Sequence, residues 1–169
     1  MSYTRFAAMI VTSTVIMFGM MYLNTYALDH VLFSETRFWM ALYMGAMMAV
    51  VMLAFMLGMY KKTRVNIAIF AGAAVLFASS LYALRSQDTI ADTAYMKGMI
   101  PHHSIAILTS ERANIEDIRV RELADGIIRA QRREIDEMKW LIDDIAENGR
   151  ATTEAEAASR PVPEFDSQG

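Results

Sequence analysis

The chain has 169 residues, a hydrophobic fraction of 54%, a mean hydropathy of +0.24 and a formal net charge of -3. That charge is too small and of the wrong sign for a nucleic-acid binder, and the absence of cysteine excludes disulfides and thiolate metal sites. Methionine is abundant, at 15 residues, so any soft-metal site must draw on thioether and imidazole.

Apolar residues crowd into the first half, up to Leu84, and the remainder reads as a charged helical protein. The expected organisation is all-α: a transmembrane anchor over residues 1–86, a helical hairpin over 87–148 and a disordered tail over 149–169. Three segments are long enough to span a bilayer, which takes about 20 apolar residues: Phe6–Tyr26, Phe38–Tyr60 and Val65–Leu84. The first is too long for a signal-peptide core and is followed by no small-residue cleavage site.

Lys61, Lys62 and Arg64 between the second and third spans, and Arg5 near the N-terminus, belong on the cytoplasmic side. Asp29, His30, Glu35 and Arg37 between the first two spans suit the opposite side, which places everything after Leu84 outside, at a bacterial inner membrane. Tyr22, Tyr26, Trp39, Tyr60 and Tyr82 fall near the expected interfaces, and Gly45, Ala49, Gly72 and Ala73 permit close helix approach. The second span carries Met40, Met44, Met47, Met48, Met52, Met56 and Met59 at a step near one helical turn. This stripe reads either as a thioether ladder for copper(I) or, preferably, as flexible packing.

Beyond Asp88 the pattern becomes amphipathic. It predicts one helix over Thr89–Ala113 and a second over Asp117–Glu147, with Asp117 as N-cap and Asn148-Gly149 as terminator. The second helix has a seam of Ala124, Ile128, Gln131, Ile135, Met138, Ile142 and Ile145, and the first a facing seam of Met96, Met99, His103, Ala106, Ser110 and Ala113. Antiparallel pairing sets Met99 and His103 near Gln131 and Ile128, and Met96 near Ile135 and Met138. Two helices alone bury little surface, so the hairpin is expected to complete a four-helix bundle with a second copy, or else to pack on the membrane helices.

At about 100° per residue, Met96 and His103 point the same way, Met99 stands to one side on the same face, and His102 projects beyond Met99. Met138 approaches from the second helix. Thioether and imidazole together suit copper(I) or silver(I); the competing reading makes the same residues ordinary core. Pro101, directly before the histidine pair, is either a tolerated kink or a local opening that presents both imidazoles. Asp92, Gln131 and Glu134 are possible secondary ligands, as is His30 in the outer loop. No Glu-x-x-His, His-Glu-x-x-His or glycine-rich phosphate loop occurs.

The stretch Asp92-x-x-Tyr95-Met96-x-x-Met99-Ile-Pro-His102-His103-x-x-Ala106-Ile107, with Gln131-x-x-Glu134-Ile135-x-x-Met138 on the second helix, resembles the domain of unknown function 305 family. These are ferritin-like helical domains, often periplasmic, among them CopM-like copper-binding proteins. The resemblance implies copper or silver binding through Met96, Met99, His102, His103 and Met138, without established catalysis. The family often has a further methionine where this chain has Thr109, which implies a lower affinity or stoichiometry. The expected function is membrane-anchored sequestration or transfer of copper(I) or silver(I), with the lipid bilayer, a second copy and another copper-handling protein as partners. The rival is a non-catalytic helical assembly module with Met and His as core; a metal-dependent oxidase ranks last because open-site carboxylates are lacking.

Overall fold

A computed structural model describes residues 2–165, which form six α-helices and one 3₁₀ turn with no β-strand among the described residues. The helices are α1 (Tyr3–Met20), α2 (Glu35–Phe55), α3 (Thr63–Ser86), α4 (Asp92–Arg112), α5 (Ile118–Asn148) and α6 (Glu154–Ser159), with the 3₁₀ turn at Leu28–His30. The chain divides into two units. One comprises the residues up to Leu23 with Glu35–Ile90, and the other comprises Asn24–Ser34 with the chain from Ala91 onward.

The first unit holds α1, α2 and α3, each long and apolar enough to cross a membrane. The first two expected apolar segments run past the helix ends, since α1 stops at Met20 and α2 at Phe55 while apolar residues continue through the following turns; the third lies within α3. Hydropathy marks what a bilayer tolerates, whereas the end of a helix depends on local backbone bonding. Here the chain tightens into i→i+3 bonds, Leu23 N–H to the Met20 carbonyl and Met59 N–H to the Met56 carbonyl.

Close approach of α1 and α2 is made by Gly45, where a Cβ would collide with the Thr14 side chain. The buried face of α2 is Arg37, Ala41, Gly45, Ala46 and Leu53, so none of its methionines is among its fully buried positions. Met47 and Met59 are exposed, and Met52 and Met56 pack beside Phe6, Leu53 and Tyr60. The methionine stripe therefore does not form a continuous buried ladder. At the other end of α1, the Tyr3 hydroxyl donates to Asn66 Oδ1 at 2.8 Å and accepts from the Lys62 N–H at 3.2 Å, which ties the N-terminus to the basic loop.

The second unit is built on the α4–α5 hairpin. Asp117 caps α5 by accepting the Arg119 N–H at 2.9 Å, as its sequence position predicts, and Gly149, with φ of 77°, ends it in a conformation that favours glycine. Ile100, Ile107 and Ile135 form the centre of the core with Met96 and Met138, flanked by Met99, Ile128, Leu141, Ile142 and Ile145. The α5 seam is thus as predicted. The α4 seam is rotated: Met96, Ile100, Ser104 and Ile107 are buried, while Met99, His103, Ala106 and Ser110 are half-buried.

The cause of that rotation is a third element. The loop Asn24–Ser34 lies on α4, with Leu32 against the core and Ser104 Oγ accepting the Tyr26 N–H at 2.6 Å. A helix flanked on two sides buries a wider strip than a hairpin seam allows.

The tail also departs from expectation. Instead of being disordered up to Phe165, it carries α6, which opens with a capping box between Thr153 and Glu156. Arg160 then returns to α5, 2.6 Å from Asp144 and 3.2 Å from the Gly149 carbonyl. These polar anchors hold a segment that has few large apolar residues. Residues 166–169 of the expected tail lie outside the described residues.

Candidate metal site

α4 places Met96 and Met99 one helical turn apart, and α5 brings Met138 into the same apolar cluster. Met96 is 6% exposed and Met138 9%, so both thioethers are largely withdrawn from water. One turn beyond Met99, His103 Nδ1 comes within 3.1 Å of Glu134 Oε2, off the line of a hydrogen bond. Gln131 Nε2 donates to the same carboxylate oxygen at 3.3 Å, supplying the polar partner that a glutamine in an apolar seam requires. Burial holds the His103 imidazole below its ordinary value of 6.5, with Glu134 pulling it up and His102 pushing it down.

The remaining expected residues go elsewhere. His102 is exposed, its ring 6.0 Å from that of His103 and inclined by 58°, so the adjacent imidazoles diverge. α4 runs unbroken through the fully buried Pro101, and no local opening turns the two rings to one point. Consecutive helical residues differ by about 100°, and only a break in the helix changes that. Asp92 pairs with Arg150 at 2.9 Å.

His30 is buried with Nδ1 2.9 Å from Ser104 Oγ, which commits that nitrogen to the loop contact rather than to the methionines. Burial lowers its pKa, Asp29 opposes that shift and Lys139 adds to it; Lys139 Nζ is itself 2.5 Å from Asp29 Oδ2. Among the described residues no three His, Asp or Glu side chains gather as an ion-binding group.

Ser104, which is not among the sequence-predicted site residues, organises the contact between α4 and the loop. Its sequence signal is a hydroxyl at an otherwise apolar position between Ile100 and Ile107. A second feature not foreseen is a cavity of about 660 Å³ under the tail, with Met96 and Met138 in its wall beside Tyr95, Leu141 and Val162.

A family described as a domain of unknown function (DUF305) matches residues 75–164, more than half of the chain. The chain belongs to this family. The match takes in the second half of α3, the whole hairpin and the tail as far as residue 164, and it leaves α1 and α2 outside. The chain is also 44% identical over 66 residues to an uncharacterized protein of Acanthamoeba polyphaga mimivirus, a stretch covering 38% of this chain and 43% of that protein. It thus spans less than half the length of the curated relative it matches. No solved structure matches it.

Proposed function

We propose that this protein is a membrane-anchored, extracytoplasmic binder of a soft metal ion, copper(I) or silver(I), serving sequestration, tolerance or transfer. The observation that carries the reading is the gathering of Met96, Met99 and Met138 in one cluster, one turn from the imidazole of His103. Thioethers keep their lone pairs at any physiological pH and prefer monovalent soft cations. The positive-inside pattern at Lys61, Lys62 and Arg64 supports a cytoplasmic N-terminus and a hairpin on the far side of a bacterial inner membrane. The packing of loop Asn24–Ser34 on α4 supports this too, because a loop between the first two spans and a domain after the third share a side.

The test is titration of the full chain in detergent with silver(I) against a competing chelator, beside a variant with Met96, Met99 and His103 changed to Ala. We expect the variant to lose at least about 100-fold in affinity, ~2.8 kcal/mol. Equal weak binding by both proteins removes the metal reading.

Two observations favour a second reading. Met96 and Met138 are core residues, and Ile118, Val120 and Leu123 on α5 are exposed apolar side chains, 82%, 48% and 64% accessible. A non-catalytic assembly module that completes a four-helix bundle with a second copy makes use of both features. Light scattering of the detergent-solubilised chain, corrected for the micelle, distinguishes a monomer from a dimer. A Leu123→Glu variant is expected to dissociate the dimer.

A further inference from the structure

We infer that Glu134 fixes the tautomer of His103, keeping the proton on Nδ1 and leaving Nε2 as the lone pair offered to a soft cation. The inference rests on the metal reading for its purpose, but not for its geometry. Nδ1 of His103 is buried and 3.1 Å from Glu134 Oε2. An unprotonated Nδ1 would set its lone pair beside a carboxylate oxygen only 3.1 Å away, an approach that is repulsive at this half-buried position. A hydrogen on Nδ1 turns the same approach into attraction, and a small rotation of the carboxylate about its soft terminal torsion aligns it. Gln131 donates to the same oxygen at 3.3 Å, which helps to steady the carboxylate.

A neutral imidazole has one donor and one acceptor nitrogen, and fixing the first settles the second. Glu134 is thereby a positioning residue rather than a ligand: it prepares the nitrogen that binds, as second partners do for metal-bound histidines generally. The division of labour is economical in a site without thiolate. The thioethers of Met96, Met99 and Met138 have no tautomers to control, and the imidazole is the one donor whose binding atom needs selecting.

The experiment uses the ¹⁵N-labelled full chain, free of metal, in detergent near neutral pH. The ring nitrogens of His103 are assigned by their loss in a His103→Gln variant. We expect Nδ1 to resonate as the protonated, pyrrole-type nitrogen and Nε2 as the unprotonated one. Glu134→Ala should revert the ring toward the Nε2–H form, and Glu134→Gln, which keeps an acceptor oxygen, should restore the native pattern. An Nε2–H imidazole in the native chain, or a pattern unchanged in Glu134→Ala, overturns the inference.

Circular dichroism checks that each variant is folded, and the native chain's own tautomer decides the matter even if Glu134→Ala is not. Silver(I) titration forms the second arm. An affinity loss of about 10–100-fold in Glu134→Ala is expected, with rescue by Glu134→Gln. If the tautomer is as stated and silver(I) binds neither the native chain nor any variant, the metal reading fails while the assignment of the proton stands.

Discussion

α2 carries Met40, Met44, Met47, Met48 and Met52 along 21 residues, whereas the α4–α5 hairpin carries Met96, Met99 and Met138. In α2 the positions that touch neighbouring helices belong to Ala41, Gly45, Ala46 and Leu53, and the methionines lie beside them or face outward. In the hairpin the methionines sit in or against the core, with an imidazole and a carboxylate one turn on. Methionine count alone does not separate the two regions; the neighbours of each thioether do. A thioether in a span is an adaptable apolar side chain that needs no further role, whereas under the proposed function a thioether beside a nitrogen donor in the hairpin serves as a soft ligand.

The comparison can be sharpened most forcefully through the core. Ile135→Ala should destabilise the hairpin by about 2–5 kcal/mol, read as a lower midpoint in thermal circular dichroism of the solubilised chain. Loss of the hairpin should abolish silver(I) binding while α1–α3 retain their helicity. If binding survives melting of the hairpin, the α2 methionines hold the ion and the contrast is broken.

A more local probe replaces the thioethers. Met96→Leu with Met99→Leu should weaken silver(I) binding by at least about tenfold, whereas Met47→Leu with Met59→Leu should leave it unchanged in the same titration. Ser104→Ala comes next. It removes the acceptor of the Tyr26 N–H and the partner of His30, and should cost about 1–3 kcal/mol, measured by thermal denaturation.

Acid should act more gently. Burial holds His30 and His103 below their ordinary value of 6.5, so the unfolded chain binds more protons than the folded one in the window beneath that value. Stability is then fully present above about pH 6.5 and falls as the pH drops toward the folded-state values. The melting midpoint should be lower at pH 5.5 than at pH 7.5 by an amount that shrinks in His30→Gln. A midpoint that rises on acidification contradicts the burial of both rings.

The smallest effect belongs to the tail. Arg160→Ala removes a partly shielded ion pair with Asp144 and should change stability by at most about 1 kcal/mol. With the tail loosened, Met96 and Met138 in the wall of the cavity beneath it should oxidise faster in dilute peroxide, as read by mass spectrometry.

The three apolar helices, the hairpin, the Asp117 cap, the Gly149 stop and the α5 seam were all legible from residue order alone, because each depends on local periodicity and end chemistry. The methionine cluster followed from the same spacing. Tertiary structure decided which face of α4 is buried. That face depends on loop Asn24–Ser34 arriving from a distant part of the sequence, and no helical period within α4 encodes a neighbour that far away. It likewise decided that His30 serves Ser104, that Glu134 meets His103, and that Arg160 draws the tail back to Asp144. Each of these is a contact between side chains on separate elements, set by how the elements pack rather than by what any one of them prefers alone.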